Sequence, residues 1–379
     1  MIVLGIESTC DETGAAVAIL KDNGVEILSD VKATSAEIYA KYGGIIPEIA
    51  AREQVAAIIP VIESAIQQFA VGSLQLAVER IDAIAVTQGP GLIGSLLIGV
   101  ETAKTLALAW KKPLIKVNHV AAHVFANWIA PTASQLGGRV RPSTGSDTVT
   151  QQHGDTPELP AVALIVSGGH TDLMLLNSLT DWKWIGGTRD DAAGEAFDKA
   201  ARIMGLPYPG GPAISRVAQM ADDSRQFADW MRLPRPMIHE DNLEMSFSGL
   251  KTALIQVVGS PAFVHSTSLR TTARSSREHI ICALAREFNE AVVDVLVKKT
   301  MMAVEKYQPM SVLLAGGVAA NALLRESLVV SCQLESAKLY VPDLKYCTDN
   351  AAMIAACALL RHDYIDPLKL RPDSNLAIG

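Results

Sequence analysis

The chain has 379 residues, 49% of them apolar and only 5% aromatic, with 27 glycines and a net charge of −7. That length gives room for two domains and a sizeable core, and the Gly- and aliphatic-rich composition is that of an α/β protein with close helix–sheet packing. The acidic balance argues against a strong stand-alone nucleic-acid binder, which needs local Lys and Arg for phosphate contacts, and no apolar run is long and uncharged enough to suggest a membrane span.

Met1 leads straight into an expected strand, IVLGIE (2–7), with no basic or Arg/Ser-rich leader before it. The five cysteines (Cys10, Cys282, Cys332, Cys347, Cys357) are scattered with no CxxC, which predicts a reduced, cytoplasmic setting. A polar turn, STCDETG, joins the first strand to a second, AAVAIL (15–20), as a hairpin. YGGIIPEIAAREQVAAIIPVIESAIQQF (42–69) reads as a Pro-started amphipathic helix. IDAIAVTQGPGL is a buried strand ending in a Gly-Pro-Gly turn, SLLIGVETAKTLALAW (95–110) a helix, and PLIKVNH a strand leading into NHVAAH. Residues 131–160 are polar, carry four prolines and lack periodicity, so they read as a flexible surface insertion. Order resumes with strand, Gly turn and strand in AVALIVSGGHTDLMLL (161–176), followed by a helix in DDAAGEAFDKAARIMGL and the turn YPGGP. A helical middle, a long helix from about Glu278 to Tyr307, the strand–turn–helix SVLLAGGVAANALLRESL, the strand KLYVP and a tail helix from near Asp349 complete the pass.

His119 and His123 are the most telling pair. Four residues apart on a helix, they share one face and can reach one divalent ion. The hydrolytic zinc helix HExxH has the same spacing but carries a glutamate after the first histidine as general base. Here that residue is Val120, so the ligand half of the signature stands without the hydrolytic half. Asp349 offers a third donor; two histidines and a carboxylate suit Fe(II) or an open zinc site. An aspartate before an apolar helix is also a natural N-cap, and chain neighbours do not separate the two readings. Two basic clusters, Lys104 with Lys111, Lys112 and Lys116, and Arg270 with Arg274 and Arg277, read first as solvated faces.

One plan, strand–polar Gly turn–strand, occurs near 2–20 and again near 161–176. It implies two related α/β halves facing across a cleft. Gly-rich turns let backbone N–H groups approach phosphate oxygens. With LLAGGVAAN as a third such turn, a nucleotide in the cleft is the natural expectation, although nothing fits GxGxxG or a Walker A loop.

The ordered blocks ESTCDET, YGGIIPEIAARE, GPGLIGSL, NHVAAH, VSGGHT, GEAFDK, YPGGP, SFSGLKT, AGGVAAN and CTDN span the chain and resemble the TsaD/Gcp family. The resemblance implies an actin/sugar-kinase/Hsp70-like (ASKHA) fold of two lobes. The first would be 1–118, completed by a C-terminal helix at 349–379, and the second 119–348. It implies transfer of threonylcarbamoyl from threonylcarbamoyl-AMP to N6 of adenosine 37 in ANN-decoding tRNAs. It makes His119, His123 and Asp349 the ligands of one divalent metal, Fe(II) first and Zn(II) second. Ser167, Gly168, Gly169, His170 and Thr171 would meet the phosphate and threonylcarbamoyl group. Asp198 and Gly211 would hold the ribose, Asn321 would meet the adenine side, and Asp11 would be the catalytic acid–base group, with Glu12 as the alternative. A turn-capping role for Asp11, a surface role for Asp198 and a helix-cap role for Asn321 are the structural alternatives. Cys10 and Cys347, beside these residues, read as small packed side chains. The implied partners are tRNA, a TsaB-like paralogue and a TsaE-like ATPase. The chain departs from the family in having Ala351 where glycine follows TDN, and in the length of its 131–160 insertion. The competing readings are an ATPase or kinase on the same fold, a nucleotide-binding scaffold of a tRNA-modifying complex, and, least supported because of Val120, an endopeptidase.

Overall fold

In a computed structural model of the chain, the described residues are 1–10, 12–35, 46–130, 156–221, 229–260, 263 and 273–378, with side chains left aside at 273–277. Asp11, Arg270, the Gly-Gly of 43–44 and the insertion over 131–155 lie outside them, as do the side chains of Arg274 and Arg277.

Strand β1 (Ile2–Glu7) feeds two cores by alternation: Val3 faces one, while Leu4 and Ile6 face the other. It pairs antiparallel with β2 (Glu12–Lys21), which pairs in turn with β3 (Gly24–Thr34). On its other side β1 is parallel to β4 (Ala83–Gly89), and β4 to β5 (Leu114–Asn118). The second sheet repeats this order. β6 (Ala161–Val166), β7 (Thr171–Leu176) and β8 (Trp182–Gly187) form an antiparallel meander. β9 (Ser311–Ala315) and β10 (Lys338–Tyr340) extend it in parallel from β6. The expected hairpins are thus three-stranded meanders. The sequence reading passed over β3 and β8; Glu26, Asp30, Lys32 and Lys183 of GVEILSDVKAT and WKWIGG sit at exposed positions of these strands.

Helices α1 (Pro47–Phe69), α2 (Leu74–Arg80) and α3 (Ile93–Trp110) pack on the outer face of the first sheet. α3 is long and apolar enough to resemble a membrane span by length and composition. It nonetheless carries a Lys104–Glu101 pair at 2.7 Å and lays Leu96, Val100, Ala103 and Ala107 into the buried core. The second sheet is covered by α5 (Ala193–Met204), α6 (Gly210–Ala218), α7 (Ser248–Val258), α8 (Ala273–Tyr307) and α9 (Ala322–Leu334).

Two helices remain. α4 (His119–Phe125) leaves β5, and α10 (Ala351–Arg361) follows β10 and a short 3-10 turn. They join a single core cluster that also takes Val3, Ala16 and Ala85 from the first sheet and Ala163, Ile165 and Leu313 from the second. The helices therefore fill the seam between the two sheets. Burial is so complete that α10 has almost no polar face, which is why AAMIAACALL can be Ala-rich and still form a helix. The tail is helical over a shorter span than the 349–379 expected. His362 takes a left-handed conformation (φ 55°) and ends α10, and Tyr364–Ile365 then adds a strand, β11, to the edge of β5.

α10 comes close enough to the first hairpin to require glycine there. A Cβ on Gly5 would sit 2.6 Å from Ala351 O, and one on Gly14 would sit 3.2 Å from Ala351 Cβ. Ala351 is fully buried in this contact, and glycines on the facing strands make room for it.

Candidate active site and metal centre

Because α4 starts directly at the end of β5, its first residue, His119, stands at the end of the sheet. Asn118 caps the helix by accepting from Ala121 N at 3.0 Å, and His123 follows one turn later. The TDN turn brings the third group. Asn350, not Asp349, is the N-cap of α10: its Oδ1 accepts from Met353 N at 2.8 Å. That frees the Asp349 carboxylate to face the histidines. Its Oδ1 lies 3.4 Å from His119 Nε2 and 3.2 Å from His123 Nε2. Donors each about 2.1 Å from a shared ion lie roughly 3.0–3.5 Å apart, and the three donor atoms here fall within 4.8 Å of one another. The cluster can hold a metal ion, with His119 and His123 buried and Asp349 half-buried.

The electrostatics agree. Burial pushes the His119 imidazole down, but the Asp349 and Glu7 carboxylates outweigh it and leave its pKa well above 6.5. Burial likewise pushes Asp349 up, and the two histidines reverse this, holding it well below 3.8.

Sequence reasoning missed the residues that support this site. Glu7, wholly buried, accepts from Thr9 N at 2.6 Å and from Thr87 Oγ1 at 2.7 Å, with its Oε2 3.2 Å from His119 Nδ1. Thr9 Oγ1 lies 3.4 Å from both His119 Nδ1 and Asp349 Oδ2. Gln54 of α1 reaches down to the turn after β1 and donates to the carbonyls of Ser8, Cys10 and Glu12 at 3.0–3.3 Å. Its only sequence signal is a glutamine on the apolar face of an amphipathic helix. The GPGLIGSL block is a buttress for the same turn. Leu92 N donates to Thr9 O, and a Cβ on Gly91 would sit 3.0 Å from Thr9 Cβ. Asp11 itself lies outside the described residues, between Cys10 and Glu12; Glu12 Oε1 accepts from Lys32 Nζ at 3.1 Å.

Across the seam, the β6–β7 turn carries Ser167 to His170. Ser167 Oγ accepts from His170 N at 3.1 Å and shapes the turn, while Thr171 Oγ1 accepts from Ala193 N at the start of α5. Burial first, then the nearby His119 and His123, push the His170 pKa below 6.5 against the pull of Asp172.

The glycines divide by role. Gly194, Gly210 and Gly316 pack against backbone. A Cβ would meet Ser167 O at 2.5 Å from Gly194 and Asp198 Cα at 2.5 Å from Gly210, and would collide with Val166 O from Gly316. Gly168, Gly169, Gly211 and Gly317 would meet nothing within 4 Å. Each close-packed glycine draws a turn in, and the open ones leave their backbone accessible to a ligand. Asp198 Oδ1 accepts from Gly210 N at 2.7 Å, so its carboxylate holds the start of α6. Asn321 caps α9 by accepting from Leu324 N, and its Nδ2 donates to Asn289 Oδ1 at 2.7 Å, so both ends of the amide are engaged.

Cys347 is buried beside Arg325 Nη2 at 3.0 Å, and burial pushes its thiol pKa up despite that cation, as befits a packed side chain. The lysine cluster is dispersed: Lys104 pairs with Glu101, Lys112 donates to Glu79 O, and Lys111 forms the left-handed end of α3.

Residues 26–137 and 147–356 match the family model of TsaD, tRNA N6-adenosine threonylcarbamoyltransferase. Curated relatives of that name include one from Thermomicrobium roseum, 42% identical over all of this chain and 95% of its own length. Another, from Bacillus subtilis, is 43% identical over 95% of this chain and 90% of its own. Among solved structures, HypF of T. kodakarensis superposes over 95% of this chain and 46% of its own, with a TM-score of 0.54 at 10% identity, a likeness of fold alone. With a family model covering most of its length and close relatives matched nearly end to end, the chain belongs to the tRNA N6-adenosine threonylcarbamoyltransferase (TsaD) family.

Proposed function

We propose that this protein transfers a threonylcarbamoyl group from threonylcarbamoyl-AMP to N6 of adenosine 37 in ANN-decoding tRNAs, releasing AMP. The observation that carries the reading is the meeting of His119, His123 and Asp349 at the seam between the sheets, in a chain of this family. The new bond joins the adenine nitrogen to the carbamoyl carbon, and the carbon–oxygen bond to phosphate breaks. The exocyclic amine is a poor nucleophile because its lone pair is delocalised into the ring, so positioning and activation of the carbonyl dominate.

His119, His123 and Asp349 would hold a divalent ion, and the donor set suits iron(II) first and zinc second. When bound, the ion supplies Lewis-acid polarisation of a carbonyl oxygen. The backbone of Gly168 and Gly169, which no neighbouring side chain or backbone crowds, receives the phosphate, and Ser167, His170 and Thr171 hold that turn in place. Gly211 and the turn at Asp198 border the ribose, and Asn321 fixes the adenine-side turn by capping α9. Asp11 accepts the proton lost by the amine, with Glu12 as the alternative base. Support for Asp11 is its position in the sequence, two residues after Thr9, whose hydroxyl lies 3.4 Å from both His119 Nδ1 and Asp349 Oδ2. A phosphotransferase reading fits less well, because Mg²⁺ prefers carboxylates and water to two imidazoles.

An acidic chain acting on tRNA draws on helpers. The TsaB-like paralogue is assigned to the face where Val55 and Ile59 of α1 stand exposed beside Ile93 and Leu97 of α3. The TsaE-like ATPase joins the same assembly, which works in the cytoplasm.

The test is metal content of anaerobically purified protein, wild type beside His119→Ala/His123→Ala, paired with a transfer assay on threonylcarbamoyl-AMP, tRNA and the partner proteins. Near-stoichiometric iron or zinc that disappears with the histidines, together with transfer, is the expected result. A metal-free wild type with full transfer activity would overturn the metal assignment.

A further inference from the structure

Glu7 is the last residue of β1 and its side chain is wholly buried, yet the reaction as drawn gives it no part. Burying a carboxylate is costly unless its oxygens are satisfied. Three hydrogens do so: Thr9 N–H on Oε1, and the Thr87 hydroxyl and His119 Nδ1 on Oε2. The first two merely brace the turn after β1, and a neutral acceptor could serve them. The third has a chemical consequence. A carboxylate only accepts, so the proton between Glu7 and His119 sits on Nδ1. The other nitrogen, Nε2, is the one facing Asp349 Oδ1 and sharing it with His123 Nε2. His123 has no such brace: its Nδ1 is buried with no hydrogen-bond partner among the described residues.

We propose that Glu7 is a positioning residue that fixes His119 as the Nδ1–H tautomer, aims its Nε2 at the metal position, and thereby sets the site's affinity for divalent ions. This rests on the reading of His119, His123 and Asp349 as the ligands. Glu7 touches neither substrate nor ion and acts through the one histidine.

The amide in Glu7→Gln has two orientations, and neither reproduces the carboxylate. With its oxygen toward His119 and Thr87, its NH₂ confronts the Thr9 N–H, donor against donor. Flipped, its NH₂ faces His119 Nδ1, which must then accept, and the proton moves to Nε2, where a ligand lone pair is needed. Thr87→Val is the matched control, because it removes one brace on Glu7 and leaves the Glu7–His119 contact.

The experiment is a Co(II) titration of full-length metal-free protein followed by d–d absorption, with Zn(II) competition, for wild type, Glu7→Gln and Thr87→Val, alongside thermal unfolding. Histidine ¹⁵N shifts of the Zn(II)-loaded protein report the His119 tautomer. Glu7→Gln is expected to weaken Co(II) binding by about 10–100-fold and change the cobalt spectrum, while Thr87→Val loses stability but binds Co(II) within about threefold of wild type. Wild-type Zn(II) protein is expected to show His119 bound through Nε2 with the proton on Nδ1. Wild-type Co(II) affinity in a folded Glu7→Gln would reduce Glu7 to a brace and overturn the proposal. So would His119 bound through Nδ1 in the wild type, a measurement that holds even if Glu7→Gln does not fold. Failure of the wild type to bind either ion would instead bring down the ligand assignment on which the proposal rests.

Discussion

Replacing Gly5 by alanine tests how the fold sets the site. The new Cβ would lie 2.6 Å from Ala351 O, 2.8 Å from Ala355 N and 3.0 Å from Ala355 Cβ, so it meets the backbone of α10 rather than a movable side-chain tip. Restoring an ordinary contact of 3.4 Å requires α10 to retreat by about 0.8 Å. Overpacking of this kind costs about 1–3 kcal/mol, which in a chain of this size lowers the melting temperature by about 1–4 °C. The retreat also carries Asp349, two residues before Ala351, away from histidines that belong to a different helix. A misplacement approaching an ångström at a reacting centre costs about 10²-fold. Gly5→Ala is therefore expected to melt a few degrees early, to bind Co(II) at least about tenfold more weakly, a loss of about 1.4 kcal/mol, and to lose most transfer activity. Gly14→Ala is the graded control: its Cβ would meet Ala351 N at 3.1 Å and Ala351 Cβ at 3.2 Å, and needs only a small adjustment. Calorimetry on metal-free protein, cobalt titration and the transfer assay read the three effects. A Gly5→Ala protein with wild-type melting and wild-type cobalt affinity would show that α10 does not hold Asp349 in place, and the reasoning would fail.

Asn350→Ala removes the α10 cap and the amide that donates to Thr348 O at 2.6 Å, so about 1–2 kcal/mol of stability should go, with Co(II) affinity falling alongside because the TDN turn loses its shape; unchanged urea midpoints would refute the cap's importance. Metal binding should also depend on pH with a definite sign. The folded His119 pKa is raised, so the stability it adds to the metal-free protein is complete below its unfolded value near 6.5 and is lost as pH rises through the higher folded value. The folded Asp349 pKa is lowered, so its contribution is complete above 3.8 and is lost on acidification through the lower folded value. An ion must displace the His119 proton. Apparent Co(II) affinity should therefore climb as pH rises toward the raised folded His119 value, with protons released on binding. Calorimetry in two buffers of different ionisation enthalpy measures this, and a proton count of zero would contradict it.

Much of the molecule is legible in one dimension because it depends on short-range pattern. The alternation in IVLGIE and AVALIV gives the strands, Pro47 begins α1 where a proline is tolerated, and the HVAAH spacing puts two imidazoles on one helical face. The Gly-rich turns were recognisable as turns. Their division into packed and open glycines was not, because the adjacent Gly210 and Gly211 carry no side chain to tell them apart and differ in what lies across from them.

Composition and local spacing were thus enough for the α/β class, the repeated halves, a pair of histidines on one helical face and the absence of a glutamate at Val120. What only the tertiary structure decided is which nearby polar groups act together. Asp349 could be a cap or a ligand until Asn350 was seen to take the cap, leaving the carboxylate to face histidines far away in the chain. Glu7, Thr87 and Gln54 carry no motif of their own. They matter because β1, β4 and α1 converge on one turn, and a hydrogen bond over about 3 Å is decided by packing in three dimensions rather than by proximity along the chain.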